Sequence, residues 1–190
     1  MTASAAPLPA SYSVHPTPIG EALVVVTDEG LARLDVLDVR VGALDDALAL
    51  VSRELRTMAR PDAGATAEVT HQLDEYFAGR RRDFDVLLDL RGIGGFVRAA
   101  LEAVCTIPYG EVASYAEVAI LAGSPGANRA VGTACARTPV SIVLPAHRVV
   151  RSDGSIGEYG GHPERKRFLL DLEAQVAGLR AEPTRGSAGV

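Results

Sequence analysis

The hydrophobic positions along the chain change their spacing near residue 90. Before it, two aliphatic runs, Ala22 to Thr27 and Leu31 to Leu37, flank Asp28-Glu29-Gly30, which is typical of a β-hairpin. Two segments with helical spacing then predict amphipathic helices, and Phe84 to Leu90 predicts a further strand. The apolar positions of the two helices are Leu44, Leu48, Val51, Leu55 and Met58, then Val69, Leu73, Tyr76 and Phe77 before a C-cap at Gly79. These elements predict a small α/β unit.

From Gly92 onward the predicted elements are short and mainly helical. One helix carries Phe96, Ala100, Ala103 and Val104 and ends before Pro108. Ser114 and Glu117 have the spacing of a capping box, and Ser124-Pro125 predicts the N-cap and first turn of a helix that runs to about Arg137. Joined by Ala122-Gly123, these two helices predict a helix-turn-helix. A strand-like run follows at Ser141 to Leu144, and Pro163 opens a last helix with Phe168, Leu169, Leu172 and Val176 on its buried side.

The composition is that of a globular protein, and its charge is unevenly distributed. The 190 residues are 47% hydrophobic and 23% charged, which excludes a disordered or collagen-like chain. The net charge of −5 argues against a nonspecific nucleic-acid binder. However, residues 1–90 hold 8 basic and 15 acidic side chains, whereas residues 91–190 hold 11 and 9. Because every basic residue except Lys166 is arginine, anion contacts would come mainly from guanidinium groups.

The cysteine content and the composition of the N-terminal residues bear on the cellular location of the protein. Cys105 and Cys135 form no disulfide framework, Met1 to Ser13 lacks the features of a signal peptide, and no apolar run is long enough to span a bilayer. We therefore expect a cytoplasmic protein with no membrane association. Residues 1–13 are expected to be a flexible leader and 179–190 a disordered tail. Four histidines without Cys/His pairing argue against a zinc site, and no cofactor is implied.

An ordered series of motifs gives the chain a family resemblance. The series is Tyr76-Phe77-Ala78-Gly79, Ile107-Pro108-Tyr109-Gly110-Glu111-Val112, Ser114-Tyr115, Asn128-Arg129-Ala130-Val131-Gly132, Pro145-Ala146-His147-Arg148-Val149, Gly157-Glu158-Tyr159-Gly160-Gly161, Lys166, Leu169-Leu170 and Glu173. It resembles the O6-alkylguanine-DNA alkyltransferases, most closely over residues 107–173. The resemblance implies an α+β fold, with a ribonuclease-H-like N-terminal domain over 14–91 and a winged-helix DNA-binding domain over 92–178. It also implies a monomer that binds double-stranded DNA containing O6-alkylguanine.

The family's nucleophilic cysteine corresponds here to Ala146. A methyl group has no lone pair and no ionisable proton, so it cannot accept an alkyl group. The family's Asn-Pro is replaced by Thr138-Pro139, and two changes at the centre favour natural divergence over one laboratory substitution. His147 and Glu173 match the family's base and its orienting carboxylate; without the thiol they are expected either to keep that arrangement or to be a structural pair.

The resemblance also assigns DNA and base contacts. Tyr115 matches the tyrosine that helps to rotate the target nucleotide, and Arg129 matches the arginine that fills the gap left by the flipped base. Tyr159, Gly160 and Gly161 match the loop that walls the base pocket. Small residues on the presumed recognition helix would let it approach the minor groove, although they would equally serve a tight helix–helix contact. The remaining expected contacts are Gly126, Ala127, Ala130, Gly132, Thr133, Cys135 and Arg148.

Three functions remain open from the sequence. The first is a non-catalytic protein that binds the lesion, flips the base and holds it for a repair-pathway protein. The second is a methyltransferase whose cysteine was substituted at Ala146, and the third is a DNA-binding regulator or interaction module without lesion recognition. Transfer to Cys135 is a minor alternative, since free cysteine is usually a small buried hydrophobe, as is expected for Cys105. Arg80-Arg81-Arg82 is expected to be solvated.

Overall fold

The N-terminal part of the chain is a four-stranded sheet between two helices. The computed structural model describes residues 9–178. Strands β1 (Ala10–Thr17), β2 (Gly20–Thr27), β3 (Gly30–Val36) and β4 (Ala59–Pro61) lie in the order β3-β2-β1-β4. The β1–β2 and β2–β3 pairs are antiparallel, and β1–β4 is parallel. The helices are α1 (Ala43–Leu55) and α2 (Ala67–Phe77).

The unbroken apolar run in β2 is explained by burial of the strand on both faces. Successive side chains of a strand point to opposite faces. Ala22 and Val24 belong to the core that includes Leu73 of α2, whereas Leu23 and Val25 pack in the core that includes Val51 of α1. The sheet is therefore the middle layer of three.

The C-terminal part is built from short helices and a minimal sheet. Helices α3 (Gly95–Cys105), α4 (Tyr115–Leu121) and α5 (Asn128–Ala136) enclose a third core. Strands β5 (Ala113–Ser114) and β6 (Val149–Val150) pair in parallel, a 3-10 turn spans Ala146–Arg148, and α6 covers Pro163–Val176. The mixed α+β fold, with an α/β domain followed by a helix-turn-helix domain, is as expected. Within the described residues, no helix is both long and apolar enough to cross a bilayer.

The predicted capping box fixes where α4 begins. The Ser114 hydroxyl accepts a hydrogen bond from the Glu117 amide at 3.2 Å, and the Glu117 carboxylate accepts one from the Ser114 amide at 2.7 Å. These bonds satisfy amide groups that the first turn of a helix leaves unpaired. Tyr115 is thereby held as the first residue of the helix.

The outer edge of β3 joins the two domains. The Leu34 amide donates to the Pro139 carbonyl at 2.9 Å, and the Ser141 amide donates to the Leu34 carbonyl at 2.8 Å. From α6, Arg165 donates to the carbonyls of Val36 and Leu37, both at 2.8 Å. The segment that leads to Ala146 is therefore docked on the N-terminal sheet.

Several sequence predictions in the N-terminal domain need correction. β1 begins at Ala10, so residues 10–13 belong to the sheet and are not a flexible leader; pairing with β2 orders them. Helix α1 ends at Leu55 with Arg56 in the left-handed region (φ 57), and Met58 lies exposed beyond it. Phe84 to Leu90 forms one isolated bridge, between Leu88 and Leu31, and no regular strand.

Other differences lie in the C-terminal domain. Ser124 and Pro125 form a turn, with the Ala127 amide bonded to the Ser124 carbonyl, and α5 begins only at Asn128. The predicted strand at Ser141 to Leu144 is a turn closed by a bridge between those two residues, with Ile142 at φ 72. Phe168 is 39% exposed on α6 and does not belong to its buried face. Residues 1–8 of the predicted leader and the predicted tail, 179–190, lie outside the described residues.

Candidate nucleic-acid interface and base pocket

A cleft with a volume of about 830 Å³ lies between the two domains. One wall comes from the N-terminal domain, where Asp35, Asp38 and Arg40 lie at the end of β3 and in the loop after it. The other wall belongs to the helix-turn-helix and to the loop before α6. The predicted site residues that the cleft brings together are Tyr115, Arg129, Gly132, Cys135, Thr138, Ala146, Tyr159 and Gly160.

The first residue of α4 is packed against glycine. A Cβ placed on Gly132 would lie 3.8 Å from the Tyr115 ring, and one placed on Gly157 would lie 3.3 Å from its hydroxyl. At Gly132 this distance is an ordinary van der Waals contact, whereas at Gly157, which has φ 66, a side chain would crowd the tyrosine hydroxyl. Burial raises the pKa of Tyr115, so its hydroxyl stays protonated at neutral pH and is available as a hydrogen-bond donor.

Helix α5 exposes a face made of small residues and one arginine. Arg129, Ala130 and Thr133 are exposed, whereas Val131 and Ala134 are buried in the core. The exposed face therefore does not pack against another helix of the described chain. Gly126 and Ala127, predicted inside the helix, precede it: Gly126 has φ 86 in the turn and Ala127 is the N-cap.

Beside the cleft lies a buried polar network centred on Glu173. Its carboxylate accepts hydrogen bonds from His147 Nε2 (2.8 Å), Tyr76 Oη (2.7 Å) and the Gly110 amide (3.0 Å). Arg148 adds two more, from Nε at 2.9 Å and from Nη2 at 3.0 Å. Glu173 and His147 are both 0% exposed. Five donors thus compensate the cost of burying one carboxylate.

The network fixes the charge state of its members. Burial alone would raise the pKa of Glu173, but the hydrogen bonds from His147 and Arg148 and the positive charge of Arg148 outweigh it and lower that pKa to about 2. Burial lowers the pKa of His147, despite the neighbouring carboxylate. At neutral pH an ionised Glu173 can only accept, so Nε2 of a neutral His147 carries the proton and Nδ1 is an acceptor. Within the described chain, Nδ1 has no hydrogen-bond partner.

Two residues of this network change the expected assignment. Arg148 was expected among the DNA and base contacts, but it is 7% exposed and also donates to the Ile107 carbonyl at 2.7 Å. Its guanidinium is already used by Glu173 and the backbone, so this expectation is wrong. Tyr76, from α2 of the other domain, was predicted as an apolar helix position and as part of the first motif of the series, without a role in the site. The available sequence signal was a tyrosine on the apolar face of a predicted helix, because its hydroxyl would need a hydrogen-bond partner when buried.

Lys166 is a further buried group that the sequence analysis did not assign to the site. Its side chain is 0% exposed, donates to the Val149 carbonyl and lies 5.8 Å from the centre of the Tyr115 ring. Burial lowers the pKa of Lys166 to about 8. The ammonium group supports the β6 backbone next to the turn that carries Ala146.

The two cysteines have different environments. Cys135 lines the cleft, and burial raises the pKa of its thiol to about 11, so almost none of it is thiolate at neutral pH. Cys105, expected in the core, is exposed at the end of α3. Gly161, expected to wall the base pocket, is exposed with φ 84 and is not among the residues that line the cleft.

Family models match both domains. The ribonuclease-like domain of 6-O-methylguanine DNA methyltransferase matches residues 11–90, and the DNA-binding domain of the same enzyme matches residues 95–175. Proteins named methylated-DNA–protein-cysteine methyltransferase are similar in sequence. One from Mycobacterium tuberculosis is 49% identical over 122 residues, which cover 64% of this chain and 73% of the relative. One from Methanosarcina barkeri is 35% identical over 162 residues, covering 85% and 96%.

Solved structures agree with the sequence matches. The crystal structure of Mycobacterium tuberculosis O6-methylguanine methyltransferase superposes with a TM-score of 0.75 at 37% identity, covering 92% of this chain and 96% of the other. The complex of the Mycobacterium tuberculosis protein with DNA gives a TM-score of 0.75 at 38% identity, covering 87% and 94%.

Proposed function

Because this chain belongs to the O6-alkylguanine-DNA alkyltransferase family, we propose that it binds O6-alkylguanine in duplex DNA, flips the base into the interdomain cleft, and does not accept the alkyl group. The observation that carries the proposal is that the cleft is lined by Tyr115, Arg129 and Tyr159 but has Ala146 at the place of the family's nucleophile. An alanine methyl group cannot attack carbon. The complex with the flipped base would be held for a repair-pathway protein.

The exposed face of α5 supports the mode of binding. Its small side chains allow close approach to the sugar-phosphate walls of a minor groove, and Arg129 extends from the first turn at the cleft opening. A base leaves the stack at a cost of a few kcal/mol, which is lower for a poorly paired alkylated guanine. Insertion of Arg129 would replace part of the lost stacking, and the cleft between Tyr115 and Tyr159 would receive the base.

The Cys135 thiol does not offer a substitute reaction. Attack on the alkyl carbon needs a thiolate, and the pKa of about 11 keeps Cys135 protonated in the cleft. The proposed binder is therefore expected to release its lesion unchanged.

Equilibrium binding to matched duplexes tests the proposal. Two duplexes that differ only by one O6-methylguanine are titrated with the wild-type protein, and the lesion duplex is expected to bind about tenfold more tightly, a difference of about 1.4 kcal/mol. Arg129→Ala should reduce this ratio, whereas Arg60→Ala, an exposed arginine on β4 outside the cleft, should leave it unchanged. Equal affinity of the wild type for the two duplexes would refute lesion recognition.

The alternative functions give different outcomes in the same assays. A DNA-binding regulator without lesion recognition predicts that Arg129→Ala weakens binding to both duplexes equally. A methyltransferase substituted at one position predicts that Ala146→Cys gains the mass of one methyl group after incubation with the lesion duplex. The proposed binder predicts no mass gain for the wild type, and a gain that maps to Cys135 would contradict it.

A further inference from the structure

His162 connects a loop on one wall of the cleft to the opposite domain. This loop, residues 158–161, carries Tyr159 on the cleft wall and is called the pocket loop below. The His162 amide donates to the Tyr159 carbonyl at 2.9 Å and closes the turn just before α6. Its ring Nε2 lies 2.7 Å from Oδ1 of Asp38, which is 124 residues away in the loop after β3. Since both side chains line the cleft, this contact joins its two walls.

The second ring nitrogen of His162 also faces a carboxylate. Nδ1 lies 2.9 Å from Glu164 Oε1, in the first turn of α6. The hydrogen bond from His162 lowers the pKa of Asp38, and bonds from its own amide and from His162 lower the pKa of Glu164. Both carboxylates are therefore ionised at neutral pH and can only accept. Because a neutral imidazole has one N–H, the two observed bonds require the imidazolium form.

Other charged side chains act on the carboxylate partners of the ring. Positive charge reaches Asp38 from Arg40, whose Nε lies 3.9 Å from Oδ2, and from Arg165 of α6. Arg40 in turn donates to Asp46 of α1 at 2.8 Å. Among the described residues, the other acidic side chains that line the cleft are Asp35 of β3 and Glu158 of the pocket loop.

Loss of one ring proton would disrupt this arrangement. The His162 side chain is 32% exposed, so it exchanges protons with the solvent. Histidine is the side chain whose charge ordinarily changes between about pH 5 and 8. After deprotonation, one nitrogen presents a lone pair to a carboxylate oxygen, and the bond from the other nitrogen is no longer charge-assisted. The connection between Asp38 and the pocket loop therefore weakens as the pH rises.

We propose that His162 is a positioning residue whose imidazolium form holds the pocket loop against Asp38, so that the preference of the cleft for alkylated DNA is greater below neutral pH than above it. His162, Asp38 and Glu164 together form what is called the latch below. Its effect on DNA rests on the proposed function, since it presumes that the flipped base lies against the pocket loop. The only chemical step is the exchange of one proton between the ring and water.

Nuclear magnetic resonance of the free protein tests the latch without DNA. The ring signals of His162 and the amide signals of Gly160 and Gly161 are followed between about pH 5 and about pH 9, which spans the titration of histidine. The amide signals are expected to shift with the same midpoint as the His162 ring. Asp38→Asn, which removes the charged partner on the other domain, should abolish this shared transition. Amide signals that do not follow the ring would overturn the latch.

Binding at two pH values tests the effect on recognition. The duplexes with and without one O6-methylguanine are compared at constant salt, and the ratio of their affinities is measured, because added positive charge strengthens binding to both. The wild-type ratio is expected to be about threefold higher at about pH 6 than at about pH 8, since the ion pairs are partly exposed and each one contributes modestly. His162→Gln keeps a hydrogen-bonding side chain that does not titrate, so its ratio should be the same at both pH values.

His71→Gln is the matched control variant. His71 lies exposed on α2, 3.6 Å from Glu75 and outside the cleft, so this variant should keep the wild-type pH dependence. A wild-type preference that is equal at both pH values would overturn the inference and leave lesion recognition standing. A pH dependence that survives His162→Gln would also overturn it, because another group would then be responsible. If the two duplexes bind equally at every pH, lesion recognition fails, and the proposed effect of the latch on DNA fails with it.

Discussion

Replacing Tyr76 by phenylalanine removes one hydrogen bond from the buried network and little else. Tyr76 is 0% exposed, and its hydroxyl donates to Glu173 Oε1 at 2.7 Å across the domain junction. Its ring packs against Phe77 and Phe84 at centroid distances of 5.4 Å, contacts that phenylalanine retains. The substitution therefore isolates the contribution of the N-terminal domain to the Glu173 site.

The size of the effect follows from the charge of the acceptor. A hydrogen bond to an ionised group contributes about 1.5–3 kcal/mol, more than a neutral one. Glu173 keeps its bonds from His147, Arg148 and Gly110, so the carboxylate is not left unpaired. We expect the free energy of unfolding of Tyr76→Phe to fall by about 1.5–3 kcal/mol, which lowers Tm by roughly 3–12 °C in a chain of this length.

Tyr109→Phe is the control, and it should not lower the free energy of unfolding. The Tyr109 ring centre lies 6.1 Å from that of Tyr76, but its buried hydroxyl has no hydrogen-bond partner among the described residues. Removing an unpaired buried hydroxyl is neutral or stabilising. Urea denaturation followed by circular dichroism measures both variants. A Tyr76→Phe loss below about 0.5 kcal/mol, or equal losses for both variants, would refute the assigned hydrogen bonding.

Three further predictions concern stability. Arg56→Gly should stabilise the protein by about 0.5 kcal/mol, because Arg56 ends α1 in the left-handed region at φ 57. Arg53→Gly, inside α1, should instead destabilise it by about 1 kcal/mol. The Tm values of the two variants, measured by thermal unfolding, test this difference. Stability should fall as the pH drops below about 6.5 and again below about 4.5, because the pKa values of His147 and Glu173 are both lowered in the fold. Urea midpoints measured against pH should show both losses, and Glu173→Gln should remove the second one. Between about pH 8 and 9 stability should rise, because burial lowers the pKa of Lys166 from 10.5 to about 8 and the unfolded chain binds more protons there. At higher pH the raised pKa values of Cys135 and Tyr76 oppose this rise. Lys166→Met should abolish the rise in the same assay.

Local patterns predicted the elements whose signals are local. The hairpin of β2 and β3 follows from two aliphatic runs around a turn, and the start of α4 follows from Ser114 and Glu117 three residues apart. The start of α5 was placed three residues too early, because Ser124-Pro125 suits an N-cap as well as the turn that it forms. The strand expected over Phe84 to Leu90 failed because only Leu88 finds a bridge partner on β3.

The candidate site was only partly predictable. The motif order places Tyr115, Arg129 and Ala146 in one cleft, as the structure does. Arg148 and Tyr76 were misassigned or missed because their roles depend on a carboxylate far away in sequence. Tyr76 and Glu173 are 97 residues apart, and no local pattern encodes that contact.

The sequence by itself determined that this chain has a helix-turn-helix and no nucleophile at position 146, since both follow from residue identity and order. Only the tertiary structure decided which polar groups are buried and what each one faces. Burial sets the neutral state of His147, whereas the hydrogen bonds that converge on Glu173 keep its carboxylate ionised in spite of burial. The physical reason is that desolvation depends on the packing of both domains around the cleft, which no segment of the chain specifies alone.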